Sequence, residues 1–195
     1  MPSIFDFTLI EIRDIAISLL VLGFVFAYPE VLGDPFFILY SLMGVGIAFV
    51  GHELSHRFVA RKLGFYSAYR MWPQGLLLAL LLAIATGGGF VFAAPGAVVF
   101  SSYWIMRTPR IRDIGLIGIA GAVFNIAVMY CSLAAYFASG AELFSFMAVI
   151  NGWLAIFNLI PFGPLDGMKV MQWNRKVWAA ALALAIAGFI TAYIF

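Results

Sequence analysis

The chain has 195 residues, 65% hydrophobic and only 10% charged, with a mean hydropathy of +1.06. A water-soluble core of this size does not need so much apolar content, so the composition excludes a soluble enzyme and indicates an integral membrane protein. The net charge of +2 hides an uneven distribution of charges, and the single cysteine, Cys131, excludes an internal disulfide and reads as a small core residue.

Asp6, Glu11, Arg13 and Asp14 precede the first apolar run, at residues 14–32. No small-residue cleavage signal follows it, so the run is expected to stay in place as a span. Further apolar stretches cover 36–62, 74–100, 113–138, 143–161 and 177–195. Each approaches the roughly 20 residues that a helix needs to cross the hydrocarbon layer. The expectation is an all-α polytopic membrane protein, a single membrane-embedded domain over 1–195 with about five to six transmembrane helices.

Near the C-terminal end of the second stretch lies Gly51-His52-Glu53-Leu54-Ser55-His56. On a helix His52 and His56 are one turn apart and project from one face, where both imidazoles can hold a single Zn²⁺. Glu53 follows the first histidine, so its carboxylate can reach a water on the metal as a general base without becoming a ligand. The alternative is a helix that carries two histidines and a glutamate by chance. These are the only histidines in the chain. Burying them beside a carboxylate in an apolar segment is costly unless a metal compensates.

The stretch at 74–100 is interrupted by Gly87-Gly88-Gly89 and by Pro95-Gly96. It reads as a re-entrant element, with a β-hairpin-like part formed by two short arms, Phe90 to Ala94 and Ala97 to Phe100, about the Pro-Gly. Such backbone is tolerated at membrane depth where protein covers it or it lines a wet cavity. A continuous helix kinked at the glycines is the competing reading.

A zinc hydrolase usually takes three protein ligands and leaves one position open. Most acidic residues precede the first span or fall on the side away from the histidines, and Asp113 stands beside Arg112 at a helix start. Asp166 remains, in Asn158-Leu159-Ile160-Pro161-Phe162-Gly163-Pro164-Leu165-Asp166-Gly167, where two prolines break the helix and Gly167 permits a turn. Its competing role is to cap the following helix. For Asp166 to meet the histidines, an even number of crossings must intervene, so one of the three stretches between them must enter and return. The charges give the same topology. With 74–100 re-entrant and the N-terminus cytoplasmic, all eleven Lys and Arg residues fall on the cytoplasmic side, leaving Glu30, Asp34 and Glu142 opposite.

The two motifs, H-E-x-x-H at 52–56 and N-x-x-P-x-x-P-x-D-G at 158–167, resemble those of the site-2 protease family of zinc intramembrane metalloproteases. The resemblance covers residues 36–167 and implies one zinc ion on His52, His56 and Asp166, with Glu53 as general base and acid. Gly121-Ala122-Val123-Phe124-Asn125 is similar to the family's G-P-x-x-N segment, with Ala122 where proline is common. That similarity implies a place for Asn125 near the active site, assisting an oxyanion; the other reading is an Asn hydrogen-bonded between helices. Many relatives carry a PDZ or CBS module, and this chain looks like a minimal prokaryotic core without either.

The function so implied is cleavage of transmembrane segments of other proteins, in a multi-pass protein of the cell membrane whose active site faces the cytoplasm. The expected partners are a transmembrane protein substrate and the bilayer, with no nucleic acid; oligomeric state is not read from these residues. Two alternatives from other classes are a non-catalytic zinc-binding membrane protein or transporter, and a different H-E-x-x-H membrane protease such as a prenyl-protein endopeptidase. Glu53 argues against the first and the 158–167 motif against the second.

Overall fold

A computed structural model describes residues 6–92, 94–101 and 108–194. It is an α-helical membrane protein with one two-stranded sheet. The helices are α1 (Leu9–Ala27), α2 (Phe37–Val45), α3 (Gly51–Lys62), α4 (Pro73–Ala85), α5 (Ile111–Ser139), α6 (Glu142–Leu159), α7 (Asp166–Trp173) and α8 (Arg175–Ile194). The strands are β1 (Tyr66–Met71) and β2 (Gly96–Ser101). Among the described residues four helices are long and apolar enough to cross a membrane: Phe37–Lys62, Ile111–Ser139, Glu142–Leu159 and Arg175–Ile194. Their outward faces carry exposed Ile47, Phe58, Phe137, Leu184 and Ile190, as lipid contact requires.

Helix α5 is the centre of the bundle, packed against α3, α6, α7 and α8. Small residues let these helices approach closely: Ala122, Ala155, Ala181 and Ala185 form one buried seam with Leu159. Cys131 is exposed on α5, so it is not the core residue its apolar surroundings suggest; buried Ser132 and Leu133 are the neighbours that face the bundle.

The first helix starts at Leu9 and ends at Ala27 and is not among the four, so the described residues give four candidate spans where about five to six were expected, and the expected span at 14–32 is not one of them. Glu11 and Asp14 therefore lie within the helix, where both are buried. They are held there by backbone donors of the sheet. Tyr69 N–H donates to Glu11 Oε1 at 2.9 Å and Met71 N–H to Asp14 Oδ2 at 3.4 Å. Arg57, fully buried on α3, pairs with Glu11 and donates to the Ser67 carbonyl at 3.2 Å. A carboxylate that accepts backbone N–H groups and faces a guanidinium can be buried at a tolerable cost.

Helix α4 begins with Pro73 at its first position and runs for 13 residues. At 1.5 Å per residue that is about 20 Å, short of a ~30 Å hydrocarbon core. Gly87 and Gly88, at φ +61° and +81°, end it in a conformation that side chains resist. The chain then comes back. Met71 is paired with Gly96 and Tyr66 with Ser101, antiparallel, so everything between 71 and 96 leaves and returns to one place.

This sheet is not the expected hairpin about Pro95-Gly96. Phe90 to Phe92 are irregular: the Trp153 indole donates to the Val91 carbonyl at 3.1 Å, and Phe92 stacks edge-on against Phe157. Helix α6 thus covers that arm, while Gly96–Ser101 finds its partner in Tyr66–Met71, a segment with too polar a composition to stand out as a strand. Ala93, Arg107 and Phe195, each within an expected element or charge assignment, lie outside the described residues.

The ladder has a definite parity. Tyr69 N, Met71 N and the Ser67 carbonyl point away from β2, whereas Trp72 N donates to the Pro95 carbonyl at 2.7 Å and continues the pairing. In an antiparallel pair the opposed residues alternate between hydrogen-bonded and outward-facing. Residues 97, 99 and 101 of β2 therefore bond to β1, and Gly96, Val98 and Phe100 turn their backbone groups outward. The far edge of β1 is closed by α1 and Arg57, so the open edge of the sheet is that of β2.

Candidate metal centre and active site

The histidines sit just after a π-helical turn, Gly46–Val50, that joins α2 to α3. A π-turn inserts one residue into the helical repeat and so re-aims the faces that follow; such turns are common at functional sites. Gly51 lets the turn pack against Phe124 of α5, whose ring would lie 2.2 Å from a Cβ there. His52 and His56 then face the bundle interior with ring centroids 4.6 Å apart, both buried.

Asp166 is the first residue of α7 and makes no cap to it. Its carboxylate turns inward instead, with Oδ2 at 2.8 Å from His56 Nε2 and 3.3 Å from His52 Nε2. Gly167 contributes by close approach, not by the turn its type suggests: a Cβ would stand 2.1 Å from the Leu159 carbonyl oxygen. The positive φ, +58°, is at Gly163.

Each histidine is held from behind. His56 Nδ1 donates to the Ile117 carbonyl at 2.6 Å, and His52 Nδ1 lies 2.5 Å from Asn125 Oδ1. The amide of Asn125 donates in turn to the Ala48 carbonyl at 3.0 Å and to Asn151 Oδ1 at 2.9 Å. Both of its donors are committed and the residue is fully buried. Asn125 is therefore the hydrogen-bonded Asn between helices, oriented on His52, and has no donor left for an oxyanion. Gly121, one turn earlier on α5, provides the space for His52, since a Cβ would meet the imidazole at 2.5 Å.

These bonds assign the proton of each ring to Nδ1, because the partner atoms are acceptors. Neutral rings then turn two Nε2 lone pairs toward Asp166 Oδ2. Three electron-pair donors converging in a buried site need positive charge among them. His52, His56 and Asp166 offer ligand atoms all within 4.8 Å of one another; the 3.3 Å separation matches the edge of a tetrahedral site with bonds of about 2.0–2.2 Å, and the 2.8 Å one would have to widen by about half an ångström. Two imidazoles and a carboxylate are a zinc donor set with one position left open.

Glu53 lies in the same cavity, of about 210 Å³, with His52, His56, Asp166, Lys169 and the β2 edge in its walls. Its carboxylate faces the outward Val98 N–H of β2. Its Oε2 is buried with no hydrogen-bond partner among the described residues. Such an atom is costly to leave unpaired, and it suits a base poised for a proton.

Asn151, the Ile117 carbonyl and Lys169 are site groups that the sequence reading did not assign, and Gly121 entered it only as the first residue of the G-P-x-x-N-like segment. Lys169 had the clearest signal, three residues after Asp166 in a helix.

No protein-family model matches the chain, and no solved structure matches it. Two curated proteins do. The chain is 40% identical over 193 residues to "Putative zinc metalloprotease MJ0611" of Methanocaldococcus jannaschii, covering 96% of each chain. It is 27% identical over 158 residues to "Putative zinc metalloprotease YwhC" of Bacillus subtilis, covering 68% of each. With an end-to-end match at that identity and a buried His-His-Asp cluster beside a glutamate, the chain is a membrane protein that belongs to the zinc metalloprotease family of these relatives.

Proposed function

We propose that the protein is an intramembrane endopeptidase of the site-2 type, which cleaves transmembrane segments of other proteins. The observation that carries this reading is the position of the β2 edge: the only open edge of the described sheet runs along the wall of the cavity that holds Glu53 and the His-His-Asp cluster. A transmembrane helix hides its carbonyls in its own hydrogen bonds and must unwind to be cut. An unwound segment added to β2 would replace the lost bonds through the outward groups of Gly96, Val98 and Phe100.

His52, His56 and Asp166 would hold a zinc ion, whose chemistry would be to lower the pKa of a water and to polarise the scissile carbonyl. Asn125 and Ile117 fix the ring orientations and tautomers of the two histidines. Glu53 accepts the proton of the attacking water and returns it to the leaving amine. It faces Val98 on β2, so the base lies beside the strand that would position the substrate.

The positive-inside rule supports a cytoplasmic site, since Arg61 and Lys62 end α3, Arg110 and Arg112 open α5, and Lys169, Arg175 and Lys176 lie in α7 and at the start of α8. The return of the chain between Met71 and Gly96 supports re-entry of 74–100. The test is zinc content and cleavage of a model transmembrane substrate by purified wild type, Glu53→Gln and Asp166→Ala. Glu53→Gln is expected to keep its zinc and lose at least about 100-fold in turnover; Asp166→Ala is expected to lose zinc as well. Residual turnover above about a hundredth in Glu53→Gln, or no cleavage by zinc-loaded wild type, refutes the reading.

A further inference from the structure

The two oxygens of Asp166 have different surroundings. Oδ2 faces both imidazoles, whereas Oδ1 accepts from Lys169 Nζ at 2.8 Å. Lys169 lies one turn further along α7, and its side chain is 30% exposed against 9% for Asp166. Its stem packs on α5, where a Cβ at Gly118 would touch Lys169 Cβ at 3.2 Å. The ammonium thus reaches the cavity from its margin, along a fixed path.

An exposed i,i+3 ion pair contributes little. This pair is different because its acid is buried and faces a metal site. A carboxylate with both oxygens free can bind an ion through either or both. Once one oxygen is held by an ammonium, the other is the donor available to the ion. The charges also matter: two neutral imidazoles, the Asp166 and Glu53 carboxylates and a divalent ion sum to zero, and Lys169 leaves the cavity with one positive charge in excess.

We propose that Lys169 is a positioning residue of the metal centre, which holds Oδ1 of Asp166 so that the carboxylate meets the ion through Oδ2 alone and the open position stays free for water. The proposal rests on the zinc-site reading and deepens it. Without Lys169, Asp166 is free to turn and bind through both oxygens, which alters the coordination and takes up space that the water requires.

The test is cobalt substitution, because the visible absorption of Co²⁺ reports coordination number without reference to turnover. Wild type, Lys169→Met, Lys169→Arg and Lys169→Gln are purified, stripped and titrated with Co²⁺, and zinc affinity is measured by chelator competition. Wild type is expected to give the intense visible bands of a four-coordinate ion. Lys169→Met is expected to give the weaker bands of higher coordination, with zinc affinity lowered about 10- to 100-fold. Lys169→Arg should restore the wild-type spectrum and Lys169→Gln should not. Should Lys169→Met aggregate, the Arg and Gln pair decides the question alone. Unchanged spectra and affinities within about twofold in the Met or Gln variant would overturn the role of Lys169 and leave the zinc site standing. Wild type that binds no stoichiometric cobalt would overturn both.

Discussion

Gly121→Ala probes how closely the metal site is fitted to α5. The added methyl carbon would stand 2.5 Å from His52 Nε2 and 2.6 Å from the two adjacent ring carbons. Ordinary contact begins at 3.4 Å, so the ring or the helix must give by 0.9 Å (3.4 − 2.5). The ring has little room to move, because its Nδ1 is held by Asn125, itself fixed to Ala48 and Asn151. A misplacement of about 1 Å in a catalytic constellation costs roughly 100-fold in rate, which is about 2.7 kcal/mol of transition-state stabilisation. The expected outcome is a folded protein with weakened zinc binding and turnover lowered about 100-fold. Chelator competition and cleavage of a transmembrane substrate measure the two effects, with Val123→Ala on the exposed side of α5 as the control. Zinc affinity and turnover both within about threefold of wild type would refute the claim that Gly121 makes room for His52.

The ladder parity separates two proline variants in β2. Phe100→Pro removes an outward donor and is expected to keep zinc and thermal stability while cleavage falls, whereas Val99→Pro breaks the pairing with Ala68 and is expected to lower the melting temperature; the opposite pattern, read by zinc content, cleavage and thermal melts, would show that the wrong edge had been assigned to substrate. For the topology, single cysteines at Arg70 and Arg110 in a Cys131→Ser background are expected to react with a membrane-impermeant thiol reagent from the same side. Labelling from opposite sides would mean that 74–100 crosses.

The sequence by itself determined the membrane class, because 65% hydrophobic content and stretches of about 20 apolar residues have no other use in a chain of this length. It also pointed to His52, His56 and Asp166, which the structure brings together as a group that could hold a metal. The two histidines are local, one turn apart on a helix, and the scarcity of acidic residues at that end of the bundle left Asp166 to meet them. Parity of crossings then gave the expectation that one intervening stretch re-enters, since it needs only the order of the elements and not their packing.

What tertiary structure decided was the partner of each polar group. The strand Tyr66–Met71 is polar and contains Arg70, so nothing local marks it; it becomes a strand because β2 bonds to one edge and Glu11, Asp14 and Arg57 satisfy the other. The two carboxylates of α1 look like flanking charges ahead of a span, and their burial depends on donors about 60 residues away. Asn125 could equally have served an oxyanion or a helix contact until the positions of His52, Ala48 and Asn151 were known. A side chain's type states what bonds it can form, and in an apolar medium it must form them. Which atoms complete them depends on how distant helices pack, which no local pattern encodes.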